Sequence, residues 1–156
     1  EVMTQKVLYS PIPTDVTAIY MSYYVPWSGH QNYLLAKSFG FKELEFKRVG
    51  YIENYDSIDS IGWLVSNYLK YIKFGFGRST DIACRWIREG TITRDKAIEL
   101  VNKNDHLLDD RILKDFLRLT ELSKKDFFET VDRFANRNIL EKRGNLWVKK
   151  KEHQLS

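Results

Sequence analysis

The stretch Lys73-Phe74-Gly75-Phe76-Gly77-Arg78 decides the prediction of the fold, because its two glycines interrupt a long helical pattern. Upstream of it, apolar residues recur at helical spacing and predict a helix over about 58–72. Downstream, Ser79 or Thr80 is suited to cap a second helix, and Asp81 falls in its first turn, where a carboxylate complements the positive helix end. The stretch is therefore predicted to form a corner between two helices.

Outward from this corner, the chain is predicted to be mainly helical, with about six helices and one or two strands. The remaining helices are predicted over about 31–38, from the corner to Gly90, from Thr93 past Val101, over about 110–119, and from Ser123 to Phe134. Segment 16–25 is rich in β-branched and aromatic residues and predicts a buried strand, and a short strand is predicted at 146–149. A strand that is apolar on both faces is typical of a parallel sheet covered by helices. Its partner strands are expected outside this sequence, so the fold is predicted to complete an α/β domain.

Length and composition exclude several classes of protein. The 156 residues suffice for one domain, and an apolar content of 43% argues against a disordered chain. No apolar run approaches the roughly 18 residues that span a bilayer, so no membrane association is expected. Cys84 is the only cysteine, which excludes a disulfide framework and a cysteine-based metal cage and favours a cytoplasmic location. The three histidines lack metal-ligand spacing, so no metal site is predicted.

The chain is predicted to divide into three parts. Residues 1–50 form the end of a nucleotide-binding-type α/β domain, residues 51–140 a helical region, and residues 141–156 a basic tail. The net charge is +4, and five Lys or Arg against two Glu lie between residues 141 and 153. Such an end either binds nucleic acid or is a solvated terminus. Solvation is favoured, because only Trp147 offers an aromatic surface for base stacking there.

The corner itself is a candidate phosphate or pyrophosphate site. Gly75 and Gly77 let the backbone approach a ligand closely, and the following helix start presents free N–H groups. Four positive charges lie within sixteen residues, at Lys73, Arg78, Arg85 and Arg88. Asp81 is expected to orient Arg78 or to cap the helix. The alternative is a glycine-broken corner whose charges face water. The spacing is not that of a P-loop.

Two other clusters are candidate binding sites. Tyr55, Ser57 and Asp59 lie at the start of a predicted helix. They bind a sugar or Mg²⁺, serve as proton carriers, or cap the helix and place acidic residues in its first turn. Trp27 and Asn32 follow the predicted strand 16–25, where ligands bind in open α/β sheets, or they are simply solvated. His30 lies between them and has the same two interpretations. No pattern assigns a catalytic residue.

Several stretches together resemble the N-acetyl sugar amidotransferase family of lipopolysaccharide O-antigen and flagellin-glycan biosynthesis. The resemblance covers roughly residues 16–148 and corresponds to the C-terminal part of such proteins. The stretches that carry it are Tyr23-Tyr24-Val25-Pro26-Trp27 with Asn32, Gly50 to Asp59, Lys73 to Asp81, Ile87-Arg88-Glu89-Gly90, and Thr93-Arg94-Asp95-Lys96-Ala97-Ile98.

The resemblance implies an ATP-pyrophosphatase-type, PP-loop parent enzyme with an adenine-nucleotide-hydrolase-like domain. Such an enzyme uses ATP with Mg²⁺ to convert the acetamido group of a nucleotide sugar into an acetamidino group. Ammonia comes from glutamine through a separate glutaminase subunit. The family's Ser-Gly-Gly-x-Asp-Ser loop for the ATP phosphates is absent from this sequence, so we expect this chain alone to bind no cofactor and to be inactive.

The resemblance also implies roles for the candidate residues. Lys73 and Arg78 are expected to contact pyrophosphate or the sugar nucleotide, and Tyr55, Ser57 and Asp59 to line the sugar pocket. An exposed strand edge favours self-association, so a homo-oligomer is a further expectation. The alternative function is a non-catalytic helical module whose basic tail binds nucleic acid or protein; nucleic acid is the disfavoured partner.

Overall fold

The computed structural model describes Asp15, Thr17 and residues 19–155. Within this part the chain forms six α-helices, one two-stranded antiparallel sheet and two short 3-10 turns, which confirms the mainly helical prediction. The helices are α1 (Gly29–Ser38), α2 (Ile61–Phe74), α3 (Arg78–Arg88), α4 (Arg94–Asn104), α5 (Asp110–Thr120) and α6 (Lys124–Phe134). The strands are β1 (Leu140–Arg143) and β2 (Leu146–Lys149), with Leu140 opposite Lys149 and Arg143 opposite Leu146.

Most helices begin where a local side chain caps the first turn. The side chains of Ser28, Ser60, Thr93, Asp109 and Ser123 each accept a backbone N–H two or three residues further on. The starts predicted at Thr93 and Ser123 are therefore confirmed. Helix α2 begins three residues later than predicted, because Ser60 provides the cap.

The main core forms around α2, which packs against α5 and α6. Val65 and Ile72 of α2 are almost completely buried, as is Val131 of α6. Trp147 of β2 joins the same cluster, and its indole Nε1–H donates to Asp132 Oδ1 over 2.8 Å. The hairpin is thus anchored to the helices by packing and by a hydrogen bond. A smaller core joins α3 and α4 through Ala83, Ala97 and Val101. Along the described residues, no helix has the length and apolar character needed to cross a membrane.

The strand predicted over 16–25 is wrong for the residues that the structure describes. Met21–Tyr23 form a 3-10 turn, and Tyr20 and Tyr23 are each 86% exposed. The backbone N–H of Tyr24 donates to the Met21 carbonyl, so these groups bond locally instead of to a neighbouring strand. Residues that favour extended backbone form a strand only where a neighbouring strand accepts their hydrogen bonds. The strands of the described chain, β1 and β2, pair with each other. Val16 and Ala18 lie outside the described residues.

Candidate functional site

A cavity of about 260 Å³ opens between α1, α3 and the loop that joins α1 to α2. We call it the aromatic cavity. Five aromatic side chains line it, namely His30, Tyr33, Phe41, Tyr55 and Trp86. Its polar lining consists of Asn32, Glu53, Asp56, Arg85 and Glu89. A concave site with aromatic walls and a few polar groups is the usual form of a small-ligand site.

The aromatic wall is built around a stacked pair of tyrosines. The rings of Tyr33 and Tyr55 lie 3.9 Å apart between centroids with an interplanar angle of 10°. The Tyr33 hydroxyl donates to Glu43 Oε1 over 2.9 Å and accepts from Lys37 Nζ over 2.9 Å, so its ring is held from both sides. Burial raises the pKa of Tyr55 above its usual value, so this residue presents a neutral phenol at pH 7.

A buried ion pair shapes the loop that presents Tyr55. The Arg48 side chain is fully buried and its Nη2 lies 3.1 Å from Glu53 Oε1, whose side chain is 3% exposed. Glu53 Oε2 accepts the backbone N–H groups of Tyr55 and Asp56 over 2.7 and 2.8 Å. Burial raises the pKa of Glu53, while these donors and Arg48 act in the opposite direction. The pair therefore fixes the turn at 53–56, which carries three cavity residues, Glu53, Tyr55 and Asp56.

Arg78 connects the helix corner to this loop. Its Nε donates to Asp56 Oδ2 over 2.7 Å, its Nη2 contacts the same oxygen, and its side chain is only 10% exposed. Asp81, one turn further along α3, accepts from Lys70 Nζ over 2.7 Å and lies 3.9 Å from Arg78 Nη1. The positive charge of Arg78 is thus largely balanced by two carboxylates of the same chain.

The N-terminus of α3 already holds an anion from within the protein. Asp105 accepts the Gly77 backbone N–H over 2.8 Å, the Thr80 hydroxyl over 2.7 Å and the Thr80 backbone N–H over 3.2 Å. The residue before the helix is Gly77, so the cap predicted at Ser79 or Thr80 is wrong. The Ser79 hydroxyl instead donates to the Gly50 carbonyl over 3.1 Å. The cap is the Asp105 carboxylate, which lies 25 or more positions away in sequence from Gly77 and Thr80. A pattern of neighbouring residues does not reveal such a distant cap.

Comparison with protein families identifies this chain. The family described as LPS biosynthesis protein WbpG-like, C-terminal domain, matches residues 17–152. The chain belongs to this family. It is therefore part of a lipopolysaccharide biosynthesis protein, in agreement with the broader part of the expected function. No match was found among curated proteins.

Three residues predicted for the site lie at or beside the cavity of this WbpG-like domain. Tyr55 and Asn32 line it directly, and Arg78 reaches it through its ion pair with Asp56. Ser57 follows on the same loop with a φ of 54°, in the left-handed region that is costly for a residue other than glycine. The predicted cluster at 54–59 and the predicted corner therefore meet in space.

Other predicted residues of the WbpG-like domain stand apart from the cavity lining. Trp27 is 72% exposed, and Asp59 and Lys73 are also exposed. Gly75 and Gly77 are buried within the corner, where Gly75 ends α2 with a φ of 77° and has no space for a side chain beside Ile139. The ligand contacts predicted for these five residues stay predictions.

Among the residues that α3 places at the cavity, the sequence predicted a ligand contact only for Arg85, as one of the positive charges near the helix corner. Four residues from this part of the chain line the cavity, namely Ile82, Arg85, Trp86 and Glu89. Their spacing of three, one and three residues places them on one side of the helix. Trp86 was expected simply to belong to a helix. The signal was an aromatic residue flanked by charges on a single helical face, but only the folded chain shows that this face meets Tyr33 and Tyr55.

Proposed function

We propose that this WbpG-like domain is the C-terminal portion of an ATP-dependent N-acetyl sugar amidotransferase. The whole enzyme would convert the acetamido group of a nucleotide sugar into an acetamidino group for surface polysaccharide biosynthesis, such as O-antigen. Within that enzyme, the aromatic cavity would hold the acetamido sugar. The family match supports the biosynthetic setting, and the resemblance of the motifs supports the reaction.

The observation that carries the proposal is the composition of the cavity. Flat aromatic faces, here Tyr33, Tyr55 and Trp86, pack well against the apolar faces of a sugar ring. Asn32 and Glu89 at the same cavity offer hydrogen bonds to hydroxyl groups. The volume of about 260 Å³ is at the small end of ligand sites and suits one sugar unit rather than a complete nucleotide sugar.

The nucleotide and phosphates of the substrate would extend from the cavity towards the helix corner. Arg85 lines the cavity and forms no ion pair with another described residue, so its guanidinium is available to a phosphate. Lys73 and Arg78 are the further phosphate contacts suggested by the motif resemblance. For Arg78 this would require a phosphate to compete with Asp56.

We propose that the site for ATP with Mg²⁺ lies outside the described residues of this domain. They contain no group of three His, Cys, Asp or Glu side chains arranged to hold a metal ion. Asp105 also occupies the helix start at which a phosphate was expected. Sugar activation by ATP, and the glutaminase that supplies ammonia, would then belong to portions of the machinery other than this domain. The cytoplasmic location that the single cysteine favours is part of the same proposal.

The competing role as a nucleic-acid-binding module receives no support from the hairpin. Lys142 pairs with Asp132, and Arg143 pairs with Glu141 on the same strand. Two of the five basic residues in the predicted tail are therefore already neutralised. The others are Lys149, Lys150 and Lys151, and the nearby Trp147 ring is buried in the core and not free to stack on a base.

Removal of the Trp86 ring tests the proposed function. UDP-N-acetylglucosamine, a nucleotide sugar with an acetamido group, is titrated into the wild-type chain and into Trp86→Leu by isothermal calorimetry. Loss of one stacking face should weaken binding by about tenfold. The matched control is Trp63→Leu, since Trp63 lies on α2, is 49% exposed and does not line the cavity. Equal affinities in all three proteins, or no binding by the wild type, would contradict the proposal.

A further inference from the structure

His30 occupies the centre of the aromatic cavity's wall. It lies in the first turn of α1, and its ring centroid is 6.2 Å from Tyr33, 6.5 Å from Tyr55 and 6.4 Å from Trp86. It therefore contacts the side chains contributed by all three segments that form the cavity. A ligand packed on these rings would lie against the imidazole as well.

The backbone that carries His30 is firmly positioned. The Ser28 hydroxyl accepts the Gln31 backbone N–H over 3.1 Å and donates to Glu89 Oε2 over 2.8 Å. The residue that caps the start of α1 is thus bonded to Glu89, the residue that follows the last turn of α3. A side chain on such a tethered turn is well suited to read a ligand group at a fixed position.

The two ring nitrogens of His30 have different environments. Nδ1 is buried and has no hydrogen-bond partner. Nε2 is not among the buried nitrogens without a partner, and it bonds to none of the described residues, so it is the nitrogen that remains open at the cavity. A buried N–H donor without a partner is rarer in proteins than a buried acceptor without one. The arrangement therefore favours the tautomer with its proton on Nε2 and directs an N–H donor to the cavity.

We propose that His30 is the residue that recognises the acetamido group, with Nε2–H donating a hydrogen bond to the acetamido carbonyl oxygen. This inference rests on the proposed function, because it takes an acetamido sugar as the ligand. The methyl of the same group would pack on the rings of Tyr55 and Trp86, whose centroids lie 6.5 and 6.4 Å from that of the imidazole. A sugar with a hydroxyl in that position offers neither the carbonyl nor the methyl. His30 is thus a specificity-determining residue.

The surroundings argue against a purely structural role for His30. A histidine kept for packing usually bonds at least one ring nitrogen within the protein, since a buried polar atom without a partner costs about 1–3 kcal/mol. Here neither nitrogen bonds to a described residue, although three aromatic rings surround the side chain. Phenylalanine would fill the same space without that cost, and this makes it the informative substitution.

The test compares two ligands that differ at one group. UDP-N-acetylglucosamine and UDP-glucose are titrated into wild type, His30→Phe, His30→Gln and His106→Gln. His30→Phe should lose about tenfold in affinity for the acetamido ligand and little for UDP-glucose, because one hydrogen bond is lost. His30→Gln, whose side-chain amide reaches towards the position of Nε2, should recover part of the loss. His106, which lines a different cavity, provides the control and should have no effect.

The same ligands are added to ¹⁵N-labelled wild-type protein, and the histidine ring nitrogens are followed by NMR. Nε2 of His30 should shift with the acetamido ligand and not with UDP-glucose, while His106 stays unchanged; this readout holds even if a variant fails to fold. Binding of the acetamido ligand without that shift would overturn the role of His30 and leave the proposed function intact. Failure of the wild type to bind either ligand would overturn both.

Discussion

Asp105 supplies the negative charge around which the helix corner is organised. Its side chain lies against the start of α3 and bonds to Gly77 and to both the backbone and the hydroxyl of Thr80. The features that predicted a phosphate site, namely glycines followed by a helix start, are present. An internal carboxylate occupies the position that an external anion would take.

Replacement of Asp105 should therefore destabilise the fold. In Asp105→Ala, the N–H of Gly77 loses its acceptor in a buried setting, and the free energy of unfolding should fall by about 1–3 kcal/mol. Urea denaturation followed by circular dichroism measures this change. The matched control is Asp95→Ala, which removes an exposed carboxylate from the first turn of α4. A loss no larger than that of the control would contradict this account of the corner.

Asp109 should make stability depend on pH in the acid range. Its side chain is 3% exposed and accepts the backbone N–H of Val49 over 3.0 Å and that of Arg111 over 2.9 Å. Burial acts to raise the pKa of Asp109, but these donors and the Arg111 side chain together lower it below its usual value. A lowered folded-state pKa means that the stability is complete above the unfolded value of about 4 and is lost as the pH falls through the folded value.

The variant Asp109→Asn tests this pH dependence. It should be less stable than wild type at pH 7, and the difference should shrink below about pH 4, because the carboxylate of the unfolded wild-type chain is then protonated first. The difference should be lost as the pH falls further, through the lowered pKa of Asp109 in the folded protein. Urea titrations between pH 2 and pH 7 measure both curves. A difference that stayed constant across this range would show that the charge of Asp109 is not responsible.

At the scale of elements, the loop between α1 and α2 depends on a glycine. Gly50 has a φ of 85°, and a Cβ at this position would lie 2.3 Å from the Leu107 carbonyl oxygen. The loop therefore approaches the α4–α5 connection more closely than any other residue type permits. The Gly50 carbonyl also accepts a hydrogen bond from the Ser79 hydroxyl, and this bond joins the loop to α3.

Gly50→Ala should separate these elements. The alanine would have to adopt a left-handed backbone conformation, and its Cβ would clash with the Leu107 carbonyl oxygen. Together these effects should lower the free energy of unfolding by about 2–4 kcal/mol. Thermal unfolding provides the measurement. Gly29→Ala is the matched control, since Gly29 lies in α1 with open space around its Cβ position, and there alanine should be neutral or slightly stabilising. Equal melting temperatures for the two variants would contradict the close approach.

The elements that were predicted correctly are those whose boundaries depend on neighbouring residues. Thr93 and Ser123 cap helices through bonds to residues three positions away, and local sequence suffices to find them. The strand prediction over 16–25 is wrong for the described residues, because a strand requires partner strands that local composition does not reveal. The cap of α3 failed for a related reason, since its acceptor lies on a distant turn.

At the scale of the whole molecule, the sequence located only part of the candidate site. Tyr55 was predicted to line a sugar pocket, and it does line the aromatic cavity. Tyr55 stacks on Tyr33 of α1 and lies near Trp86 of α3. Both residues are more than 20 positions away from Tyr55 in the sequence. No local pattern indicates that these three rings meet, because the meeting depends on how the helices and the loop pack.

The central claim is that the aromatic cavity of this WbpG-like domain binds an acetamido sugar. The most direct measurement is an amide NMR titration of the ¹⁵N-labelled chain with UDP-N-acetylglucosamine. We expect saturable shifts concentrated on the first turn of α1, on residues 53–56 and on the stretch from Ile82 to Glu89. Saturable shifts centred on the β1–β2 hairpin, or the absence of shifts at millimolar ligand, would contradict it.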